Sequence, residues 1–234
     1  MSAQGIETLP QRYVRIGGLL YLVLKIAGIF AIGFVRFSLV NSSDPAGTAR
    51  NLLASESLWR SAFASLVLLA VCYVAVALIF YVLFRPVSKP IALLAAFFDL
   101  VGSSICALSA LGYLGALWAL GGDAYLKAFD AHQLQALALL SIKAQAYGYH
   151  ISLIFFGAGS LLLASLMLRS TYFPKALSAL PIIGALSYLV SSIAVFVLPN
   201  NDVLTSPLVL APGFFAEVLF SLWLLIVGAK RVSV

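Results

Sequence analysis

The sequence is short of charged residues. Only 9% of its 234 residues are Asp, Glu, Lys or Arg, whereas an average soluble domain carries about 25%. So few charges cannot cover a surface that faces water, which excludes an ordinary soluble globular protein. Apolar residues make up 63% of the chain, and the sequence therefore predicts that most of them face lipid.

Cysteine and the usual catalytic motifs are also scarce. The two cysteines, Cys72 and Cys106, lie in separate apolar runs without a CxxC pattern or a Cys/His cluster, which argues against a zinc or redox site. The chain has no phosphate-binding glycine loop, dinucleotide fingerprint, zinc-binding helix motif or Ser/His/Asp array. We therefore predict no cofactor, no metal and no assigned catalytic residue, and we leave open whether the protein is an enzyme.

Long apolar runs, in contrast, follow one another along the chain. A helix needs about 20 residues to cross a hydrocarbon core about 30 Å thick, and in lipid its backbone satisfies its own hydrogen bonds. The six runs that are long enough cover approximately residues 17–36, 60–84, 91–120, 147–168, 176–198 and 208–228. The sequence thus predicts an all-α integral membrane bundle of about six transmembrane helices, forming one domain over residues 1–234.

The basic residues predict the orientation of these helices. The net charge is +6, but the Lys and Arg residues are scattered among the turns, which indicates topology and no nucleic-acid partner. With the N-terminus inside, one side of the membrane would hold Arg12, Arg15, Arg85, Lys89, Arg169, Lys175, Lys230 and Arg231, with Glu7 as its only acid. The other side would hold five basic and five acidic residues. Because basic residues favour the cytoplasmic side, we predict that both termini are cytoplasmic.

Two segments on the predicted outer side carry helix-start signals. Asp44 followed by Pro45 offers a capping side chain and a proline at the first helical position, which predicts a short amphipathic helix. Asp130 with Gln133 three residues later resembles a capping pair. A helix running from there to Leu168 would be about 57 Å long, so we expect it to protrude from the membrane or to break near Gly148.

Three ionisable residues lie deep inside the apolar runs: Lys25, Asp99 and Glu217. Each costs about 2.5–3.5 kcal/mol at the centre of a membrane helix and therefore needs a partner or a purpose. Each is ten to thirteen residues from a basic residue of the predicted inner side, or about 15–20 Å along a helix. All three are therefore expected near the middle of the membrane.

Small and polar residues share helix faces with these charges, which is typical of surfaces that pack against other helices. The resulting candidate ligand site consists of Glu217, Lys25, Asp99, Ser103, Ser221 and Tyr21. One lysine and two carboxylates leave a formal charge of −1. Since a buried site resists such an excess, one carboxylate is expected to hold or share a proton.

Three functions are compatible with this pattern. The first is binding or transport of a small molecule or lipophilic ligand, with Glu217 as the charged group, Lys25 as its partner and Asp99 as a tuning acid. The second is a non-enzymatic scaffold or membrane partner protein, in which the charges only hold helices together. The third is an intramembrane enzyme that acts on a lipophilic substrate through Asp99 and Glu217 as an acid–base pair.

Six segments, taken in order, resemble a known family. They are RIGGLLYL from Arg15, DPAGTARNLLASE from Asp44, RPVSKPIALLAAFFDL from Arg85, YGYHISLIFFG from Tyr147, RSTYFPKAL from Arg169 and EVLFSLWLLIVG from Glu217. The chain is similar to the bacterial multi-pass family called domain of unknown function 4386. The resemblance implies a bacterial cytoplasmic (inner) membrane protein without an established activity. It also implies an acid at position 217 and often arginine at position 99, so Asp99 departs from the family pattern.

Overall fold

The computed structural model describes residues 11–229, and these residues are almost entirely helical. The α-helices are α1 (Gln11–Gly28), α2 (Phe37–Leu39), α3 (Pro45–Ala54), α4 (Glu56–Phe84), α5 (Lys89–Ser109), α6 (Leu111–Leu120), α7 (Ala131–Arg169), α8 (Ala179–Val197) and α9 (Ala211–Ile226). A π-helix covers Ile29–Arg36, and short 3-10 helices cover Ala124–Ala128, Lys175–Ser178 and Pro207–Leu210. No β-strand occurs within residues 11–229, and the all-α prediction is confirmed.

Six helical segments among the described residues are long and apolar enough to cross a membrane. They are Gln11–Leu39, Glu56–Phe84, Lys89–Leu120, Ala131–Arg169, Lys175–Val197 and Pro207–Ile226. Each coincides with one predicted run and begins earlier than the apolar run does, because the helix continues through polar residues that precede the lipid-facing stretch. The multi-pass membrane architecture is therefore confirmed.

Both predicted helix starts are present. The Asp44 side chain accepts a hydrogen bond of 2.8 Å from the Gly47 backbone N–H, with Pro45 opening α3. Before α7, the Asp130 carboxylate accepts from the Gln133 N–H and the Gln133 side chain accepts from the Asp130 N–H, both at 2.9 Å. Each cap satisfies backbone donors that the first helical turn leaves without partners.

Of the two alternatives predicted for this helix, protrusion or a break near Gly148, the break does not occur. Helix α7 runs unbroken for 39 residues, about 58 Å at 1.5 Å per residue, so its length requires protrusion from the membrane. Gly148 serves packing instead: a β-carbon there would lie 2.5 Å from the Ser109 β-carbon. The glycine thus lets α7 approach α5 closely without bending.

Two irregularities were not predicted. The first span changes from α- to π-helix at Ile29–Arg36, and the third span is interrupted between Ser109 and Leu111. π-Helical turns are rare, and they occur frequently at functional sites. Arg36 is the last residue of this π-helix.

The contacts divide the chain into two compact units. Among the described residues, unit 1 comprises 11–23, 72–103 and 150–229, and unit 2 comprises 24–71 and 104–149. The prediction of one domain over residues 1–234 stays a prediction. The cytoplasmic location of the termini also stays a prediction, and Glu7, Lys230 and Arg231 lie outside the described residues.

The core of unit 1 depends on close approach between α1 and α9. A β-carbon at Gly18 would lie 2.6 Å from the Leu225 backbone nitrogen and 2.8 Å from the Ser221 carbonyl oxygen. Only glycine allows the two backbones this separation. The side chain of Tyr21, one turn after Gly18, is thereby held close to α9.

The core of unit 2 is built around Trp59. Its side chain is fully buried, and its indole N–H donates a hydrogen bond of 2.7 Å to the Tyr113 carbonyl oxygen. The two rings lie with their centroids 4.3 Å apart. The Tyr113 hydroxyl in turn donates to the Ala31 carbonyl oxygen at 3.1 Å, which ties α6 to the π-helix.

Candidate functional site

Unit 1 contains a buried carboxylate that is held by two tyrosines. Glu217 on α9 is only 2% exposed, and its Oε1 accepts a hydrogen bond of 2.6 Å from the Tyr21 hydroxyl of α1. Its Oε2 accepts a hydrogen bond from the Tyr188 hydroxyl of α8. We call Glu217, Tyr21 and Tyr188 the carboxylate cluster. Hydrogen bonds to a charged acceptor are about twice as strong as neutral ones, so the cluster fixes the position of the carboxylate.

Small residues allow α8 and α9 to bring these groups together. A β-carbon at Gly213 would lie 2.9 Å from the Ser187 β-carbon, and one at Gly184 would lie 3.3 Å from the Glu217 Cγ. Both glycines are buried. Close approach of this kind is typical of membrane helices with small residues at their interface, and it puts Tyr188 within reach of Glu217.

Aromatic rings surround the Tyr21 end of the cluster. The Tyr21 ring packs edge to face with Tyr73, Phe80 and Phe220, at centroid separations of 6.2, 6.1 and 6.1 Å. All four side chains are buried. In such apolar surroundings electrostatic interactions with the carboxylate are much stronger than in water.

Asp99 lies beside a small apolar crevice in the same unit. It is half-buried, and its Oδ1 would be 2.7 Å from a β-carbon on Gly159. The crevice is lined by Ala77, Phe80, Tyr81, Phe84, Ala92, Ala95, Ala96, Asp99, Leu163 and Leu166. We call Tyr21, Tyr73, Phe80 and Phe220 the aromatic wall, and Phe80 therefore belongs to this wall and also lines the crevice.

The predicted serines are buried but point to their own helices. The Ser103 hydroxyl donates to the Asp99 carbonyl oxygen at 2.7 Å, and the Ser221 hydroxyl donates to the Val218 carbonyl oxygen at 2.8 Å. Each oxygen keeps acceptor capacity for another donor. They line the helix faces that carry Asp99 and Glu217, as the sequence pattern suggested, without contributing a hydroxyl proton to either carboxylate.

The six predicted site residues are thus placed in different ways. Tyr21 and Glu217 are in direct hydrogen-bond contact, whereas Asp99 lies on the crevice beside Phe80. Lys25 belongs to unit 2 and is 7% exposed. Its pairing with Glu217 stays a prediction, as does the role of the whole set in binding a ligand.

Tyr188 is the member of the cluster that sequence reasoning missed. Gly184, Ser187, Tyr188 and Ser191 follow at helical spacing and form one buried face of α8. This is the pattern of small and polar residues that identified the faces of Lys25, Asp99 and Glu217. Searching α8, which carries no charged residue, for small and polar residues at helical spacing would have identified Tyr188.

The arrangement offers a buried carboxyl group, held by two tyrosine hydroxyls, beside a group of aromatic rings. Such a carboxylate can hold a proton or a cation, and the tyrosine hydroxyls leave further lone pairs on both carboxylate oxygens. Within residues 11–229, no group of three or more His, Cys, Asp or Glu side chains is arranged to hold a metal ion.

The comparisons with known proteins identify a family but no activity. A family model described as "Domain of unknown function (DUF4386)" matches residues 16–228. A protein of Archaeoglobus fulgidus described as "Uncharacterized protein" is 32% identical over 171 residues, which cover 71% of this chain and 83% of that protein. No solved structure matches the chain significantly.

Proposed function

This chain belongs to the family described as Domain of unknown function (DUF4386), and from that premise we propose that it binds or transports a small lipophilic cation through the buried carboxylate of Glu217. The observation that carries the proposal is the carboxylate cluster: an acid 2% exposed in an apolar span, oriented by Tyr21 and Tyr188. Ionisable groups inside membranes are costly, and they commonly mark the pathway of a ligand or ion.

The aromatic wall supports a cationic ligand in particular. The faces of tyrosine and phenylalanine rings attract cations, by about 2 kcal/mol or more where water is excluded. Tyr21, Tyr73, Phe80 and Phe220 supply four such rings, and Tyr21 among them donates a hydrogen bond to the acid. An amine with an apolar body would satisfy the carboxylate and the rings together, whereas an anion would be repelled by Glu217.

The crevice beside Asp99 suggests a route for this ligand. It offers a second carboxylate among apolar side chains, and Phe80 lies between that crevice and the Tyr21 ring. We propose that the cation first pairs with Asp99 and reaches Glu217 when the Phe80 side chain changes rotamer. Transport would follow if the second step opened toward the opposite side of the membrane.

Replacing Glu217 with glutamine is expected to abolish ligand binding. A ligand at 100 times its Kd stabilises the folded state by about 2.7 kcal/mol, so the melting temperature of the solubilised wild-type protein should rise with the correct cation. We would measure it with a panel of tertiary and quaternary alkylamines, each beside a neutral analogue of the same shape. The Glu217→Gln variant should show no rise, because the amide keeps the size of the side chain and loses its charge.

Glu56→Gln is the matched control. Glu56 is an exposed acid that pairs with Arg60 at 2.7 Å, so its replacement should leave the response to the amine unchanged. Native mass spectrometry of the same three proteins would reveal a co-purified molecule that is lost only with Glu217. Equal responses in all three proteins, or no response to any cation, would contradict the proposal and favour a structural role for the cluster.

A further inference from the structure

Unit 2 contains a separate polar site at the end of the π-helix. The half-buried Arg36 directs its Nη1–H to the Oε1 of Gln145 on α7, at 2.9 Å. Gln145 is 1% exposed, so the contact lies in apolar surroundings. Neither residue belongs to the carboxylate cluster, and nothing in this site depends on Glu217.

The site holds more hydrogen-bond donors than acceptors. A guanidinium carries five N–H donors and no acceptor, and within residues 11–229 its one hydrogen-bond acceptor is Gln145 Oε1. The Gln145 Nε2 is buried and has no hydrogen-bond partner in the described part of the chain. Exchanging the Oε1 and Nε2 positions of the Gln145 amide would not satisfy the site, because the Nε2–H donor would then face the Nη1–H donor of Arg36. A buried unsatisfied donor costs about 1–3 kcal/mol. An anionic acceptor would satisfy Gln145 Nε2–H and would also balance the charge of Arg36.

Packing holds the helix segments that carry both residues in place. A β-carbon at Gly112 would lie 2.6 Å from the Gln145 β-carbon, so α6 presses directly on the base of the glutamine side chain. The π-helix that ends at Arg36 is tied to α6 by the hydrogen bond from the Tyr113 hydroxyl to the Ala31 carbonyl oxygen. The helix segments that carry Arg36 and Gln145 are therefore held by α6 in the absence of a ligand, while the amide of Gln145 can still rotate.

The surroundings indicate where the acceptor comes from. Arg36 lies three residues before the end of the first span, Gln11–Leu39, and a basic residue so close to the end of a span is expected near the headgroup layer. Its neighbours Phe34 and Phe37 are 57% and 83% exposed, as expected of side chains that face lipid. A molecule with a polar, anionic head and an apolar body fits this position.

We propose that Arg36 and Gln145 form a binding site for a phosphate group, carried by a phospholipid or present as free phosphate. The planar guanidinium matches two phosphate oxygens with parallel hydrogen bonds. Gln145 orients the guanidinium through Oε1 and donates Nε2–H to the same phosphate after a small rotation of its amide. With a phospholipid, the acyl chains would lie along Phe34 and Phe37.

The decisive variant is Gln145→Glu. It places a carboxylate beside Arg36, which forms an internal ion pair and occupies the donors without a change of side-chain size. The protein should remain folded, while its affinity for phosphate falls about tenfold or more because the new charge repels the anion. Arg36→Gln should weaken binding to a similar extent. Arg60→Gln, which removes an exposed arginine already paired with Glu56, should retain it.

Two probes distinguish the sources of the phosphate. The four proteins would be titrated with phosphatidylglycerol and with inorganic phosphate, and bound molecules counted by native mass spectrometry beside the melting temperature. A lipid adduct lost in Gln145→Glu and Arg36→Gln, but kept in the wild type and Arg60→Gln, would support the lipid. The same pattern with inorganic phosphate alone would support a free anion. Equal responses in all four proteins, or none, would overturn the proposal.

Discussion

Replacing Gly18 with valine is expected to prevent the protein from folding. A β-carbon at this position would lie 2.6 Å from the Leu225 backbone nitrogen and 2.8 Å from the Ser221 carbonyl oxygen. Backbone atoms cannot rotate away as the tip of a side chain can, so α1 and α9 would have to separate. Overpacking in a core usually costs about 1–3 kcal/mol, and a direct clash with backbone should exceed that range. The measurement is the yield of monodisperse protein and its melting temperature.

The adjacent glycine provides a matched control. A β-carbon at Gly17 would lie 3.1 Å from the Ile79 Cγ2, a terminal methyl group that can shift slightly. Alanine is also favoured over glycine within a helix, by about 1 kcal/mol. Gly17→Ala should therefore melt within a few degrees of the wild type. If Gly18→Val melted there as well, the close approach of α1 and α9 would be wrong.

The spans were predictable because lipid imposes a simple rule on sequence. A helix must present about 20 apolar residues to cross the membrane, and that pattern is visible without knowledge of any neighbour. The starts of α3 and α7 were predictable for a similar reason: Asp44 and Asp130 cap residues only three positions away. In each case the determining interactions are local in the chain.

The interruption at Ala110 and the π-helix Ile29–Arg36 were not predictable in this way. The hydrogen bond from the Tyr113 hydroxyl to the Ala31 carbonyl oxygen connects these two regions, and a contact so distant in sequence leaves no local pattern. The missed role of Gly148 has the same origin, since a glycine in a long helix signals either a bend or a close neighbour. Only the position of Ser109 decides between them.

The candidate site was predictable in part. Tyr21 and Glu217 were expected together because each lies on a helix face with small residues, and they are in hydrogen-bond contact. Tyr188 was missed since its helix carries no charge that would direct attention to it. Gln145 was missed for a related reason: an amide in an apolar helix gives no sign of whether it faces lipid, protein or a ligand until its partner Arg36 is known.

Replacing Glu217 with leucine is expected to lower the free energy of unfolding by about 3–5 kcal/mol. The substitution leaves the buried hydroxyls of Tyr21 and Tyr188 without the acceptor that both now use, and each unsatisfied group costs about 1–3 kcal/mol. Leucine has a similar volume, so a cavity contributes little. Reversible denaturation of the solubilised protein would measure the loss, and Glu217→Gln, which keeps an acceptor oxygen, should lose less.

Adding Tyr188→Phe to Glu217→Leu should recover part of that loss. The hydroxyl that the leucine leaves unsatisfied is then removed, and an apolar replacement of both partners of a buried hydrogen bond is often close to neutral. The two substitutions should therefore be less costly together than the sum of the single variants, with a coupling of about 0.5–3 kcal/mol. Strict additivity would mean that the carboxylate and the tyrosine do not interact. If the stabilities are coupled and the double variant still binds the ligand fully, the cluster serves stability alone. If the stabilities are coupled and the double variant has lost binding, the charge of Glu217 has a role in recognition that is separate from its role in folding.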